Sequence, residues 1–417
     1  MRLYIALLFT FIQLNAKSGI ISGFISDSSS AEALIGANVI LQETGQGMAT
    51  DINGYYIIQD ITPGDYVLMV SYVGFKLKKE KLKISDGQSI KIDISLSEDV
   101  VELTQIEVTA EQIQRKSNIQ PSKINLSPRM MKAAPALAEP DLFRTIQALP
   151  GVLTTSEFST GLVIRGGNTD QNLILLDGVT VYNPSHLGGI FSNFIVDGVK
   201  EAELIKGAYN AEYGGRLSAV LNIISREGNQ KKFEGKANLS LLSAQATIEG
   251  PFYKGAWVFS GRRTYFDKIF QNVPTIPPYY FYDIQSHIYT DLTSKDRLSL
   301  SFYNGVDDLL FDTFGLTGRW GNRTVSAQYR RGFSEKLIGN FLYANSLFFT
   351  EFGLGGSNGL VSDNQIDDAT VAANFSWFKS SESTFKFGAQ LKNLGFLYTN
   401  SFNDSLQFEI NTDDMLF

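Results

Sequence analysis

The stretch that decides the fold begins at Leu149-Pro150-Gly151-Val152 and continues through Ile164-Arg165-Gly166-Gly167, Leu176-Asp177-Gly178-Val179 and Glu212-Tyr213-Gly214-Gly215-Arg216. Each of these segments is a glycine-bearing turn signal that adjoins a short apolar run. Such runs between tight turns predict strands, and the alternating run from Glu201 to Lys206 predicts a half-buried strand. The nearly continuous apolar run from Val220 to Ile224 is expected to be a central strand.

Two short helices are predicted in the same region. Ser127-Pro128 places a capping residue before a proline at the first helical position, which is a typical helix start. A second helix is expected to end at Pro150-Gly151, because the apolar residues before it share one helical face, namely Leu142, Ile146 and Leu149. Helices and strands together predict a mixed α/β domain over residues 119–228.

Composition excludes several functional classes for this chain of 417 residues. Charged residues make up only 19% while Gly, Phe and Tyr number 37, 30 and 18, which indicates a chain rich in β-structure and turns. The net charge of −7 does not favour a nucleic-acid partner. Because the chain has no cysteine, it has no disulfide, no thiolate metal site and no cysteine nucleophile.

Residues 1–16 are predicted to be a secretory signal peptide. Arg2 is followed by an apolar core from Leu3 to Leu14, and Ala16 ends a plausible cleavage site. The alternative is a membrane-spanning helix, but the apolar core is far shorter than the roughly 20 residues that such a helix needs.

Residues 18–97 alternate strand and turn signals at short spacing, which predicts an Ig-like β-sandwich of about seven strands. Asn53-Gly54 is a strong hairpin signal, because both residues tolerate positive φ. Asp51 and Asn53 are also candidate calcium ligands, but a hairpin turn requires the same residue types.

Residues 98–118 form a polar linker with one β-prone stretch, Ile106-Glu107-Val108-Thr109-Ala110. A short stretch of this kind can pair edge-on with a strand of another protein, since backbone pairing places little demand on side chains. The alternative is an ordinary exit strand of the sandwich.

Residues 229–417 read as long antiparallel hairpins. In one example, Phe385, Phe387, Ala389 and Leu391 alternate with Lys386, Gly388, Gln390 and Lys392. Short turns are expected near residues 253–255, 294–296, 334–336 and 381–383, with longer connections including 266–282, 305–322 and 350–367. This pattern predicts strands of a transmembrane β-barrel that are apolar towards lipid and polar within. A soluble sandwich is the alternative.

We count about eight strands in this region, too few for a barrel whose lumen could also hold the α/β domain of residues 119–228, since a lumen of that width needs ~22 strands. An eight-stranded barrel is filled by its own side chains, and an open barrel would leave unpaired strand edges in lipid. The sequence is therefore expected to be a fragment, truncated at its C-terminus, that holds the first strands of an incomplete barrel.

The whole run of residues 119–228 resembles the plug domain of TonB-dependent outer-membrane receptors. The resemblance rests on the four turn segments quoted above and on Tyr182-Asn183-Pro184-Ser185-His186-Leu187, a version similar to that of Bacteroidetes receptors. Residues 18–97 resemble the carboxypeptidase-regulatory-like domain, a non-catalytic accessory domain. Residues 106–110 resemble the TonB box, the peptide by which such receptors bind TonB.

These resemblances imply an outer-membrane receptor of a Gram-negative cell, with the sandwich and linker in the periplasm. The implied function is import of a scarce extracellular solute, driven through TonB and its inner-membrane motor complex while the plug gates the barrel. The alternative is a binding, signalling or adhesion receptor of the same architecture without net transport. Outer-membrane lipid is an implied partner, and a surface lipoprotein is a further candidate.

The candidate site residues follow from the plug resemblance. Arg165, Glu212 and Arg216 are expected to make charged contacts between plug and barrel that are strong enough to seat the plug yet breakable under force. Gly166, Gly167, Asp177, Gly178, Gly214 and Gly215 are expected to form the plug turns. The ligand-binding residues are unknown.

No catalytic residue, cofactor site or metal site is predicted. His186 and His287 have no obvious partner in the sequence and do not fit a metal-binding spacing. Two acidic groups are weak candidates for calcium at loop tips, namely Asp307, Asp308 and Asp312, and Asp363, Asp367 and Asp368. The aromatic run from Tyr279 to Tyr282 is expected to belong to an interfacial girdle, with a ligand platform as the alternative.

Overall fold

The computed structural model describes residues 18–99, 122–134, 139–156, 159–273, 276–311, 315–356, 359–380, 383–403 and 405–416. The predicted signal peptide and the segment of residues 106–110 lie outside these ranges. The chain divides into two compact units, one built on the strands of residues 19–96 and the other on residues 122–226 and the long strands that follow. Within the described ranges, no helix combines the length and the apolar character that crossing a bilayer requires.

The first unit is a sandwich of two sheets. Its strands are β1 (Gly19–Asp27), β2 (Asn38–Leu41), β3 (Gly47–Ala49), β4 (Tyr55–Ile61), β5 (Gly64–Ser71), β6 (Lys78–Ile84), β7 (Ser89–Lys91) and β8 (Ile94–Leu96). One sheet has the order β3-β2-β5-β6, and in the other β4, β7 and β8 all pair with β1. The strand number exceeds the expected seven because residues 89–96 form two short strands that each run parallel to β1.

Alternation places the apolar side chains of both sheets in one core that includes Ile21, Val39, Tyr56 and Leu68. The Asn53-Gly54 turn forms as predicted, with Gly54 at φ 74°. Asp51 Oδ1 accepts hydrogen bonds from the backbone N–H groups of Asn53 and Tyr55, both at 2.8 Å. This carboxylate therefore stabilises the turn.

The second unit begins with an α/β domain, here called the plug-like domain (residues 122–226). Its elements are β9 (Lys123–Leu126), α1 (Pro128–Ala133), α2 (Leu142–Gln147), β10 (Val152–Thr154), β11 (Leu162–Ile164), β12 (Leu173–Leu176), β13 (Val179–Thr180), β14 (Ser185–His186), β15 (Phe191–Ser192), β16 (Val199–Ile205) and β17 (Val220–Ser225). Five of the strands form a sheet of order β13-β12-β17-β16-β9. The apolar run of β17 is central, as the sequence predicted.

Both predicted helices form, and each is capped by a side chain. The Ser127 hydroxyl accepts a hydrogen bond from the N–H of Met130 at 3.4 Å, while Asp141 Oδ1 accepts one from Phe143 at 2.8 Å. The second carboxylate oxygen of Asp141 accepts the N–H of Ser192 at 2.7 Å. This single carboxylate thus fixes the start of α2 against β15.

Two of the predicted turns have backbones in which consecutive residues adopt positive φ. Arg165 and Gly166 have φ values of 50° and 82°, and Asp177 and Gly178 have 51° and 81°. The second pair joins β12 to β13 in a two-residue hairpin, where such φ values match the twist of the strands. Asp177 also accepts hydrogen bonds from the N–H and hydroxyl of Ser225, which link the hairpin to β17.

A ten-stranded antiparallel sheet follows in chain order. Its strands are β18 (Glu234–Leu239), β19 (Ser243–Phe252), β20 (Gly255–Thr264), β21 (Tyr279–Asp291), β22 (Asp296–Phe311), β23 (Leu316–Ser334), β24 (Leu337–Leu354), β25 (Leu360–Ser380), β26 (Ser383–Phe402) and β27 (Ser405–Leu416), with a short helix α3 (Phe266–Ile269) after β20. Within the described ranges β18 and β27 do not pair with each other, so the described sheet is not closed.

The sheet confirms the predicted hairpins and corrects two details. It has ten strands rather than about eight, because β18 and β19 carry small residues on one face, where alternation in hydrophobicity is faint: Gly235, Ala237, Ala244 and Ala246. The segments 305–322 and 350–367, expected to be mostly connections, are largely strand. The strands are simply longer than the apolar pattern suggested.

Candidate functional site

The plug-like domain lies on one face of the large sheet, here called the inner face. Hydrogen bonds join it to strands from β21 to β25: Gln285 Nε2 to Gly198 O at 3.2 Å, Gln328 Nε2 to Asp177 O at 2.6 Å, Ser346 Oγ to Thr180 O at 2.6 Å, and Tyr182 Oη to Asp368 Oδ2 at 2.8 Å. Polar side chains on the inner face of strands between β21 and β25 therefore bind backbone and side-chain groups of the plug-like domain.

His186 makes a deeply buried contact between the plug-like domain and the sheet. It ends β14, in the plug-like domain, and is only 1% exposed. Its Nδ1 lies 2.7 Å from Oδ2 of Asp307 on β22, and its Nε2 lies 2.9 Å from Oδ1 of Asp283 on β21. One imidazole thus bridges two carboxylates of adjacent strands.

Asp307 accepts further hydrogen bonds around this imidazole. Its Oδ1 accepts the backbone N–H of Leu187 at 2.9 Å and the hydroxyl of Tyr279. Leu187 and Tyr279 thus give this buried carboxylate two hydrogen-bond donors in addition to its contact with His186.

Asp283, which is fully buried, is satisfied in the same way. Its Oδ2 accepts two hydrogen bonds from Arg262 on β20, from Nε at 2.9 Å and from Nη2 at 2.6 Å. Its Oδ1 accepts the hydroxyl of Tyr303 at 2.8 Å in addition to the contact with His186. A carboxylate that receives a charged guanidinium on one oxygen is ionised.

The protonation state of His186 follows from this geometry. A neutral imidazole carries one N–H, so it could donate to only one of two carboxylates, and its other nitrogen would oppose an acceptor lone pair. Both nitrogens are at hydrogen-bond distance from buried carboxylate groups, one of which is also paired with Arg262. His186 is therefore an imidazolium that donates to both.

The pKa of His186 agrees with that assignment. Burial by itself lowers the pKa, but the charges and hydrogen bonds of Asp283 and Asp307 outweigh burial and raise it from 6.5 to about 9.

Arg262 extends the buried contact to a second part of the plug-like domain. Its Nη1 lies 2.7 Å from Oε1 of Glu139, and its Nη2 donates to the backbone carbonyl of Ser192 at 2.7 Å. Both Arg262 and Glu139 are almost fully buried. We call the buried set of His186, Asp283, Asp307, Arg262, Glu139, Tyr279 and Tyr303 the His186 cluster.

Aromatic and apolar side chains exclude water from the His186 cluster. The Phe281 ring stacks on the imidazole at 4.1 Å between centroids and 7° between planes, and the guanidinium of Arg262 lies 5.1 Å from the same ring. Phe191 packs beside Phe281, with Leu187 and Trp320 around them. Since charges interact more strongly where water is absent, this cover strengthens the ion pairs.

Gly305 on β22 lies against the same cluster. A Cβ atom at this position would lie 2.6 Å from Asp283 Oδ1 and would also overlap the Tyr303 hydroxyl. Because glycine has no side chain, the carboxylate of Asp283 and the hydroxyl of Tyr303 can occupy this space.

Comparison with known proteins identifies the domains. Residues 21–108 match the CarboxypepD_reg-like domain, and residues 126–220 match the TonB-dependent receptor plug domain. Residues 126–220 are therefore a plug domain of the TonB-dependent receptor type. The inner face of the large sheet is the face on which this plug domain lies.

Two curated relatives agree with this assignment. The receptor is 30% identical over 250 residues to a TonB-dependent receptor of Formosa agariphila, across 56% of this chain and 23% of that protein. It is 24% identical over 229 residues to the TonB-dependent transporter Oar of Myxococcus xanthus, across 52% and 21%. The chain spans about a quarter or less of the length of these relatives.

Solved structures share the fold. The copper transporter OprC superposes with a TM-score of 0.52 at 12% identity, over 70% of this chain and 48% of that one. The ferric citrate transporter FecA gives a TM-score of 0.50 at 13% identity, over 70% and 50%.

The structure places the three predicted contact residues in different surroundings. Glu212 forms an ion pair at 3.6 Å with Lys386 on β26, which joins plug to sheet, and both side chains are at least one third exposed. Arg165 Nη2 donates to Ser122 Oγ at 3.2 Å, within the plug. Arg216 Nη1 donates to the carbonyl of Gly215 at 2.9 Å.

Most predicted turn residues have the backbone that such turns need. Gly166, Gly178 and Gly215 have positive φ, as does Asp177. Gly167 lies against Ser218, whose Cβ would be 2.6 Å from a Cβ at this glycine, whereas a Cβ at Gly214 would meet open space. The TonB-box-like residues 106–110 lie outside the described ranges.

Sequence reasoning missed the His186 cluster. No partner of His186 is obvious in the sequence because its two partners lie 97 and 121 residues further along the chain. Asp307 and Asp368 lie within β22 and β25 and contact the plug, not a loop tip. Tyr279 and Phe281 are buried on the inner face, so only the alternate residues of that aromatic run can face outward.

One sequence signal was available. Arg262, Asp283 and Asp307 are charged residues within otherwise strand-like runs of the sequence. Within the described part of the chain, no group of three or more histidine and carboxylate side chains is arranged to hold a metal ion.

Proposed function

We propose that the full-length protein is a TonB-dependent outer-membrane transporter that imports a scarce solute, with the sandwich (residues 18–97) and linker (98–118) in the periplasm. The observation that carries this proposal is the seating of the plug on the inner face of an antiparallel sheet through the His186 cluster. A plug in this position blocks the lumen of the barrel, so transport requires that part of the plug move.

Opening begins, in this proposal, at the linker. TonB pairs with the TonB-box-like residues 106–110 by adding a strand, and the inner-membrane proton gradient supplies the work. The receptor itself hydrolyses nothing. Solute binds at the outer face of plug and barrel, and part of the plug then moves.

Strand β9 is suited to respond first to a force applied at the linker. It is the first plug strand after the linker, it has four residues, and it lies at the edge of the plug sheet, where it pairs with β16. The ion pair that reinforces it joins Lys123, which is partly exposed, to Glu203, which is buried. An edge strand pulled from one end separates one hydrogen-bonded pair at a time.

We further propose that the exposed charges Arg165, Glu212 and Arg216 act as adjustable contacts around the moving part. Glu212 and Lys386 illustrate the type, because a water-exposed ion pair contributes at most about 1 kcal/mol and re-forms readily. The division into signal peptide 1–16, plug 119–228 and barrel strands 229–417 belongs to the same proposal.

The test replaces Val108 with proline in the full-length receptor, which removes a backbone donor that strand addition requires. Binding of the purified periplasmic domain of TonB should weaken at least tenfold, while Gln112→Pro, outside the TonB-box-like segment, should change it little. Cells are then supplied with labelled ferric siderophore, cobalamin, oligosaccharide or peptide at limiting concentration.

Uptake of one probe should require both TonB and Val108. Binding of a probe at the cell surface without TonB-dependent entry would instead support a signalling or adhesion receptor. TonB binding that is equal in the wild type and Val108→Pro would contradict the proposed coupling site.

A further inference from the structure

We propose that His186 is a positioning residue, an imidazolium that anchors residues 182–192 on β21 and β22 so that this part of the plug stays on the barrel wall while the part nearer the linker moves. The role of this anchor in transport rests on the proposed function. The division of the plug into a fixed and a movable part is argued from the contacts alone.

The anchored segment makes contacts that are costly to separate. Withdrawing His186 from the sheet would leave Asp283 and Asp307 buried with one cationic partner removed from each. Water could not replace that partner until the apolar cover of Phe281 and Phe191 had also opened. Water therefore cannot replace the ionic contacts of this segment one at a time.

Neighbouring contacts extend the anchor along the chain. Asn183 exchanges two hydrogen bonds with the Asn322 side chain on β23, one from its N–H at 3.3 Å and one to its carbonyl. Tyr182 donates to Asp368, which Lys392 also contacts at 2.6 Å. These bonds hold the residues immediately before His186 to the same wall.

The charged and titratable groups that face the imidazole come from every element packed on it. Asp283 and Tyr279 belong to β21, Asp307 and Tyr303 to β22, and Arg262 to β20. On the plug side, Glu139 and Asp141 lie near Arg262 and not on the imidazole itself. With four carboxylates and one guanidinium in this buried region, a positive charge on His186 reduces an excess of negative charge.

The part of the plug nearer the linker is held differently. β9 has one neighbouring strand, and Lys123, which pairs with the buried Glu203, is partly exposed, so water can solvate its ammonium group as the pair breaks. Glu139, between β9 and the anchor, can leave Arg262 still paired with Asp283 and with the Ser192 carbonyl. Force from the linker therefore meets weak contacts first and the His186 anchor last.

Single-molecule pulling on the full-length receptor in a lipid bilayer tests this division, with the handle on a cysteine introduced into the linker of a chain whose known sequence has none. In the wild type at pH 7, the plug should unravel in at least two stages. The length released before the final stage should not exceed about 220 Å, the full stretch of the chain between residues 122 and 182.

In His186→Gln the break at the anchor should disappear, and unravelling should continue without pause to about 370 Å, the stretch from residue 122 to 226. His287→Gln, which changes the histidine on β21 that binds Ser301, is the matched control and should keep the wild-type stages. Wild-type protein above pH 9 should lose the break as well, a response that a merely structural side chain would not give.

A wild-type receptor that unravels past residue 192 in its first stage, at a length equal to that of His186→Gln, would overturn the anchor. A break that persists in the wild type at a pH where the His186 ring is shown by NMR to be neutral would also overturn it, even if His186→Gln failed to fold. Neither result would touch the proposed transport function, which fails only if TonB binding and uptake are independent of Val108.

Discussion

Nδ1 of His186 lies 2.7 Å from Oδ2 of Asp307, although the two residues are 121 positions apart and belong to different domains of the fold. The same imidazole reaches Asp283 with its other nitrogen at 2.9 Å. A plug residue is thereby bound to two strands of the barrel wall by a buried ionic contact with two carboxylates. Because this contact is buried and ionic, we expect it to respond to mutation, pH and salt differently from an exposed plug contact.

Replacement of His186 by glutamine should loosen the plug on the sheet. Removing one partner from a buried ion pair costs about 3–5 kcal/mol, because the remaining charge stays buried. Hydrogen exchange of the backbone amides of residues 183–192 in the full-length receptor should rise by more than tenfold. His287→Gln should leave those amides protected, and equal exchange in the two variants would contradict the assignment.

Gly305→Ala should disturb the same contact without changing a charge. The added methyl group would lie 2.6 Å from Asp283 Oδ1 and overlap the Tyr303 hydroxyl, so both groups must shift. The barrel should still insert, while proteolysis of the plug should accelerate. Gly261→Ala on the neighbouring strand β20 is the control, since its nearest atom would be 3.7 Å away. Similar plug proteolysis in both alanine variants would show that the space at Gly305 is unimportant.

The stability of the plug should fall as the pH rises from about 5 to 9. Burial, with a smaller effect of Glu203, raises the pKa of Glu201 from 4.5 to about 8, so the folded plug keeps a proton that the unfolded chain releases. The raised pKa of His186 acts in the same direction between 6.5 and about 9. For each group the unfolded state binds fewer protons in its window, so unfolding becomes easier with rising pH.

Glu201→Gln separates the two contributions. The amide mimics the protonated acid, so the decline between pH 4.5 and about 8 should shrink while the decline due to His186 remains. Denaturant unfolding of the plug across this pH range measures both. A stability that increases with pH in this range would have the opposite sign to the one that these two raised pKa values require.

The ion pair of Glu212 and Lys386 should behave as an exposed contact. Because both side chains are substantially exposed, a double-mutant cycle with Glu212→Gln and Lys386→Gln should give a coupling energy below about 1 kcal/mol. The coupling should vanish at 1 M salt, where the screening length is about 3 Å. A coupling above about 2 kcal/mol that survives high salt would place this pair among the anchoring contacts.

The fold was predictable where its signals are local. The turns at Arg165-Gly166 and Asp177-Gly178, the cap at Ser127 and the central position of β17 all depend on residues within a few positions of one another. The alternation of the long hairpins is equally local. The two errors concern β18 and β19, whose alternation in hydrophobicity is faint, and the ends of the long strands, which extend further than the apolar pattern predicts.

The site was not predictable in the same way. Arg165 and Arg216 lie in glycine-rich turns, and the hydrogen bonds of their guanidinium groups to Ser122 and Gly215 lie within the plug. His186 pairs with residues whose proximity depends on the docking of two domains and on the register of β21 with β22, in which Asp283 faces Gly305. A single sequence does not show which residues of β21 and β22 lie opposite each other.

The protonation state of His186 in the assembled receptor is the decisive quantity to measure. Selective ¹⁵N labelling of histidine in the full-length receptor, compared with the same labelling of His186→Gln, identifies the ring signals of His186. At pH 7.5 in lipid, the His186 ring should show two N–H groups, each hydrogen-bonded to a carboxylate. A neutral ring with one N–H and one bare nitrogen would contradict the buried ionic contact on which the anchor depends.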